Sequence, residues 1–256
     1  MTTLEAVFFD LGDTLTDLRE GRGEYMARVV ARAGRMYDVL AAAGVALPDR
    51  QSFAEALAGA SEARYQVALA EQRGTDIFEV LRWFFAQEGI PAGDGLVEAA
   101  GDVYCRGGGG SPLHTVYFPA PLRTGALEVL RALQARGLLL GVISNTLQPA
   151  RYMDGHLAHN GLLAFFPARI YSSELRVAKP HPGIFRAALA ALGVLPESAV
   201  MVGDRLEADV AGAQGVGMKA VLIEVAHRPE QSPAIAPDAR IRELPELLEA
   251  LAKLGG

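Results

Sequence analysis

Short apolar runs and longer amphipathic stretches divide this chain into two unlike parts. Ala6 to Phe9 is a continuous apolar run, long enough for a buried strand, and it ends abruptly at Asp10-Leu11-Gly12-Asp13-Thr14-Leu15. From Gly23 to Ala43 the apolar residues Met26, Val29, Val30, Ala33, Tyr37 and Leu40 recur at helical spacing. Pro48 and Asp49 interrupt the pattern. It resumes over Phe53–Glu71, Ile77–Glu88 and Asp94–Tyr104. This block has no convincing strand, so it reads as a helical bundle with Phe78, Leu81, Trp83, Phe84 and Phe85 in its core.

From Leu122 onward strands and helices alternate. The spacing predicts strands over Leu138–Ile143, Arg169–Ser172, Ala199–Val202 and Lys219–Val225. Helices are predicted over Thr124–Arg136, Arg151–Asn160, Pro182–Leu192, Leu206–Gln214 and Leu244–Leu254, with Gly137 and Gly193 as stop signals. Continuous apolar strands separated by helices imply a parallel sheet covered on both faces. The expected architecture is therefore an α/β doubly wound, Rossmann-like core interrupted by a helical insertion. Residues 1–16 and 119–256 form the core, and residues 17–118 form the insert. Gly107 to Gly110 could be mistaken for a phosphate loop. It lacks a convincing strand before it and Lys-Ser or Lys-Thr after it, so it reads as a flexible surface loop, and Pro119 and Pro121 close the helical block.

Composition narrows the picture. Half of the 256 residues are hydrophobic, and the net charge of −6 argues against general nucleic-acid binding. Cys105 is the only cysteine, which excludes an intrachain disulfide and fits a reducing compartment. The polar Met1–Glu5 stretch does not resemble a signal peptide, and no window approaches the ~20 apolar residues of a membrane span. The expectation is a soluble cytoplasmic protein with neither nucleic acid nor membrane as partner; the sequence is silent on oligomeric state. Only three of the 24 basic residues are lysines: Lys179, Lys219 and Lys253.

Three predicted strands end in polar residues: Asp10, then Ser144-Asn145, then Asp204. Lys179 lies in Val177-Ala178-Lys179-Pro180-His181-Pro182, just before a helix. Carboxylates at the carboxyl ends of parallel strands face the crevice where α/β sheets bind ligands. Two carboxylates brought together repel unless a cation lies between them. Mg²⁺ favours one or two carboxylates, waters and a phosphate oxygen. A serine hydroxyl, backbone N–H groups and a lysine can neutralise the remaining phosphate oxygens. These four residues are expected to converge and suit phosphoryl transfer to a carboxylate.

At this point the chain resembles the haloacid dehalogenase-like hydrolases. Four stretches carry the resemblance, in order: Asp10-Leu11-Gly12-Asp13-Thr14; Ser144-Asn145; Lys179-Pro180-His181-Pro182-Gly183-Ile184-Phe185; and Val202-Gly203-Asp204-Arg205-Leu206-Glu207-Ala208-Asp209. The resemblance implies that the helical insert is a cap and that the substrate is a small phosphorylated metabolite. It implies that Asp10 is the nucleophile and that Asp10, Asp204 and the Gly12 carbonyl bind Mg²⁺. Leu11, Gly12, Ser144, Asn145 and Lys179 would hold the phosphate, and Thr14 would steady the loop. Asp13 and Asp209 would stand behind these groups without touching substrate. Cap residues Arg28, Arg32, Arg35, Arg64, Arg82, Tyr25 and Tyr65 could meet an anionic leaving group, though such side chains more often form a solvated helix face.

One position departs from the pattern. Phosphatases of this family usually carry an acid/base aspartate two residues after the nucleophile, where this chain has Gly12. Phosphonate-cleaving members lack it too, but they need a cap lysine, and no lysine precedes Lys179 here. The leading expectation is a Mg²⁺-dependent phosphatase, slowed by the loss of that aspartate. The alternatives are a metal-independent 2-haloacid dehalogenase, or a catalytically weak member that binds a phosphorylated ligand or partner.

Overall fold

The structure, a computed structural model, describes residues 3–17, 22–106, 121–226 and 234–255. The four-glycine run and Pro119 lie outside the described residues. Six parallel strands form one sheet in the order β3-β2-β1-β4-β5-β6. They are β1 (Ala6–Phe9), β2 (Leu139–Ser144), β3 (Ala168–Tyr171), β4 (Ala199–Gly203), β5 (Lys219–Ile223) and β6 (Ala239–Ile241). The first strand in the chain thus lies inside the sheet, between β2 and β4. Alternation along it feeds both faces. Val7 and Phe9 enter one apolar cluster with α5 (Ala126–Ala135), α6 (Ala150–His159) and α10 (Leu247–Gly255). Ala6 and Phe8 enter the other, with α8 (Pro182–Leu192) and α9 (Gly212–Gln214). Burial on both faces explains why these strands read as continuous apolar runs.

Between β1 and α5 lie α1 (Arg22–Ala42), α2 (Arg50–Ala70), α3 (Ile77–Gln87) and α4 (Asp94–Cys105). They share a separate apolar cluster built on Met36, Leu40, Phe53, Leu57, Leu81, Phe84 and Phe85. Leu147 and Tyr152 from the α/β part also enter it. No helix among the described residues is long and apolar enough to cross a membrane.

Local chemistry accounts for the departures from the predicted boundaries. α2 starts three residues early because the Asp49 side chain accepts from the Ser52 amide at its N-terminus, 3.0 Å. α5 starts late because Gly125 is left-handed, with φ 79°. Ser172 leaves β3 to open a single turn, α7 (Ser172–Leu175). The predicted helix Leu206–Gln214 opens as a π-helical turn over Leu206–Ala211. Strand β6 was not predicted: it has three residues, and Arg240 at its centre is exposed.

Candidate active site

Register brings the site together. Phe9 pairs with Val142 on one side and with Val202 on the other. Asp10 is the next residue, so it stands level with the ends of β2 and β4, where Ser144 and Asp204 emerge. The Asp10 amide donates to Val202 O, 2.9 Å, and fixes that position. After it the chain curls around one acceptor. Leu11 O takes the amides of Thr14, Leu15 and Thr16 at 3.3, 3.0 and 3.0 Å, and the Thr16 hydroxyl at 3.1 Å. The buried Thr14 hydroxyl has no hydrogen-bond partner among the described residues, so Thr14 steadies the loop through its amide alone. Thr16, which sequence reasoning passed over, supplies the side-chain bond.

Lys179 is the hub. Its Nζ lies 2.7 Å from Asp10 Oδ1 and 2.6 Å from Asp209 Oδ1, and donates to Ile143 O at 2.8 Å. Burial alone would disfavour the ammonium; the carboxylates of Asp10 and Asp209 outweigh it and raise Lys179 above the ordinary lysine value. The main chain of Lys179 is gripped by Asn145. Its amide donates to Asn145 Oδ1 (2.8 Å), and Asn145 Nδ2 donates to its carbonyl (3.0 Å). Asn145, expected among the phosphate ligands, therefore has both ends of its side-chain amide engaged in placing the lysine.

Asp10, Asp204 and Asp209 each present a carboxylate oxygen within 4.8 Å of the others. They differ in access. The Asp10 side chain is 13% exposed and that of Asp209 only 1%, and Asp204 is also buried, so Asp10 is the most exposed of the three. Asp209 reaches so far in because Gly203 has no side chain: a Cβ there would lie 2.3 Å from Asp209 Cγ. The π-helical turn completes the placement, with the Arg205 amide donating to Asp209 Oδ2 at 3.0 Å. Arg205 adds positive charge facing Asp204 and Asp10.

Asp13 is buried with φ 59°, and its carbonyl accepts from Arg123 Nη1 at 2.7 Å. It is not part of the three-carboxylate cluster. Most of the helical-block arginines singled out above are engaged within that block. Arg64 lies 4.8 Å from the Trp83 ring centroid, Arg32 lies 5.8 Å from that of Tyr104, and Arg82 pairs with Asp94 at 3.3 Å.

Gln148 was not foreseen. It is fully buried beyond β2, and neither polar atom of its side chain has a hydrogen-bond partner among the described residues. Its main chain is satisfied, the amide by Thr146 Oγ1 (2.9 Å) and the carbonyl by Ser173 Oγ (2.6 Å). A buried unsatisfied polar group costs about 1–3 kcal/mol. Gln148→Met, close to glutamine in length and volume, is therefore expected to raise stability by about that amount in urea unfolding. A loss of stability would mean that water or a ligand completes the amide.

The family model for haloacid dehalogenase-like hydrolases matches residues 4–217. A phosphoserine phosphatase of Thermus thermophilus is 38% identical over 135 residues, 52% of this chain and 52% of that protein. A glyceraldehyde 3-phosphate phosphatase of Pyrococcus furiosus is 39% identical over 134 residues, 52% of this chain and 55% of its own. The chain thus spans about half the length of these two relatives. The crystal structure of a 2-haloacid dehalogenase from Pseudomonas syringae superposes with a TM-score of 0.69 at 26% identity, covering 98% of this chain and 99% of that one. The three-carboxylate cluster around one buried lysine, the fold and the family match agree: this chain belongs to the haloacid dehalogenase-like hydrolases.

Proposed function

We propose that this chain is a phosphatase of small phosphorylated metabolites in the cytoplasm, working through a phosphorylated Asp10 with Mg²⁺ as cofactor. The observation that carries the reading is the placing of Asp10. It is the most exposed carboxylate of the three, held 2.7 Å from a buried lysine. An Asp10 oxygen attacks phosphorus, and the bond to the leaving oxygen breaks with its electron pair on that oxygen. Water then attacks the phosphorus of phospho-Asp10, releasing inorganic phosphate and the free carboxylate. Lys179 and Ser144 neutralise and orient the phosphate oxygens, with the Leu11 and Gly12 main chain on the same side. Asp209 keeps Lys179 charged and in place.

The donor set suits Mg²⁺: clustered carboxylate oxygens are the hard ligands it prefers. Asp10, Asp204 and the Gly12 carbonyl would hold it. A bound Mg²⁺ supplies charge neutralisation between the carboxylates and the phosphate. Residues 17–118 act in this reading as a cap domain over residues 1–16 and 119–256. The separate apolar core of α1–α4 supports that division.

The likeness to the 2-haloacid dehalogenase favours a second reading, in which Asp10 displaces halide from carbon without metal. Halide leaves without a proton, so Gly12 would be no handicap. A panel of phosphorylated metabolites and 2-chloropropionate, each run with Mg²⁺ and with chelator, separates the two. Phosphate release that chelator abolishes is the expected result. Dechlorination that persists in chelator would replace the phosphatase reading with the dehalogenase one.

A further inference from the structure

The loop between α2 and α3 touches the α/β part immediately before Lys179, through contacts the mechanism above does not use. Gln72 O accepts from the Ala178 amide at 2.9 Å, and Arg73 bridges Val177 in antiparallel fashion. Gly74 lies so close to β3's end that a Cβ there would stand 1.8 Å from Ser172 O. The Ile77 amide donates to Leu147 O at 2.8 Å, three residues beyond Ser144. Arg176 spans the junction, its guanidinium 2.6 Å from Asp76 Oδ2 and 3.1 Å from Glu79 Oε2. Asp76 in turn caps α3 by accepting from the Glu79 amide at 2.9 Å.

Residues 178 and 179 are therefore held from two sides. Asn145 grips Lys179 from the α/β part, and Gln72 grips Ala178 from the helical block. We propose that the α2–α3 loop, clamped by Arg176 and seated through Gly74, is a positioning element for Lys179, so that docking of the helical block sets the distance between lysine and nucleophile. Arg176 and Gly74 are positioning residues here, since neither touches the reacting atoms. This rests on the reading of Asp10 and Lys179 given above.

The test uses the full chain carrying Arg176→Ala, Gly74→Ala or Arg176→Lys. Hydrogen exchange at the Ala178 amide reads the junction directly, and inhibition by inorganic phosphate reads the lysine. Misplacing a catalytic group by about 1 Å can cost on the order of 100-fold. For Arg176→Ala we expect faster exchange at Ala178, weaker inhibition by phosphate and kcat/KM lower by roughly tenfold. Circular dichroism should stay unchanged, and Arg176→Lys should restore part of the loss. Gly74→Ala should do the same more strongly, and Arg176→Ala still decides the matter should Gly74→Ala fail to fold. Unchanged exchange at Ala178 overturns the proposal, as does faster exchange with kcat/KM and phosphate inhibition within twofold of the parent. The ratios are read on p-nitrophenyl phosphate, or on 2-chloropropionate if the unmutated protein turns over only that. In the latter case the phosphatase reading fails, while the kcat/KM ratio still judges the junction. A parent inert on both overturns both.

Discussion

Asp10→Asn will lower turnover on the order of 10⁴–10⁶-fold, as loss of a nucleophile does elsewhere, while leaving the fold intact. Asparagine keeps the shape of the side chain but not its charge, and a neutral amide does not attack phosphorus. The fold survives because the lysine keeps partners. Lys179 still faces Asp209 Oδ1 at 2.6 Å and still donates to Ile143 O at 2.8 Å. The larger penalty that follows when a buried charge loses its only partner, about 3–5 kcal/mol, does not apply. Steady-state rates on the best compound of the panel, beside a thermal melt, measure both halves. Activity within 100-fold of the parent would remove Asp10 from the role of nucleophile.

Gly12→Asp will change rates in the opposite direction. A positioned acid and base, protonating the leaving oxygen and then deprotonating the attacking water, contributes about 10²–10⁴-fold. Asp209 is locked onto Lys179 and the Arg205 amide. Asp13 lies outside the cluster, and Arg123 holds its carbonyl. The unmutated protein should therefore hydrolyse p-nitrophenyl phosphate, whose leaving group needs no proton, far faster than alkyl phosphates. If dephosphorylation suffers more than phosphorylation, phospho-Asp10 accumulates and gives a burst of p-nitrophenolate. Gly12→Asp should speed alkyl phosphate hydrolysis by about 10²–10⁴-fold and barely change the aryl ester. The main-chain torsion is no obstacle to the substitution, because the loop's positive φ falls on Asp13 and not on Gly12. Fast alkyl phosphate hydrolysis by the parent, lost on Asp13→Asn, would instead assign the proton transfer to Asp13.

The sheet was legible because a strand buried on both faces needs an unbroken apolar run. Ala6–Phe9 and Ala199–Val202 leave little else to fold into. β6 escaped for the same reason: a three-residue edge strand with Arg240 at its centre carries no such run. The convergence of Asp10, Ser144 and Asp204 was readable once each was seen to end a strand. The contacts of Lys179 with Asp209 and Asn145 were not. Nothing in spacing tells that Asp209, five residues past Asp204, turns back into the space left by Gly203, because that depends on a π-helical turn. The resemblance placed Asn145 among the phosphate ligands, yet its amide is bound to a main chain 34 residues away in sequence. The Gln72–Ala178 bond joins two parts of the chain whose local patterns are unrelated, so no periodicity could announce it.

The interior place of β1 has a consequence for how the chain is made. This strand is synthesised before its partners, yet it hydrogen-bonds to strands that begin at Leu139 and Ala199. Closing loops of that length must precede any reward from the sheet, and such non-local pairing slows folding. During synthesis the helical block, with its own apolar core and mostly local contacts, can collapse while Ala6–Phe9 still waits. A nascent chain stalled before residue 199 would carry that apolar strand with one edge unpartnered, and an open strand edge is where chains stick to one another. The strand that carries Asp10 at its end is thus also the one whose edge waits longest for its neighbour.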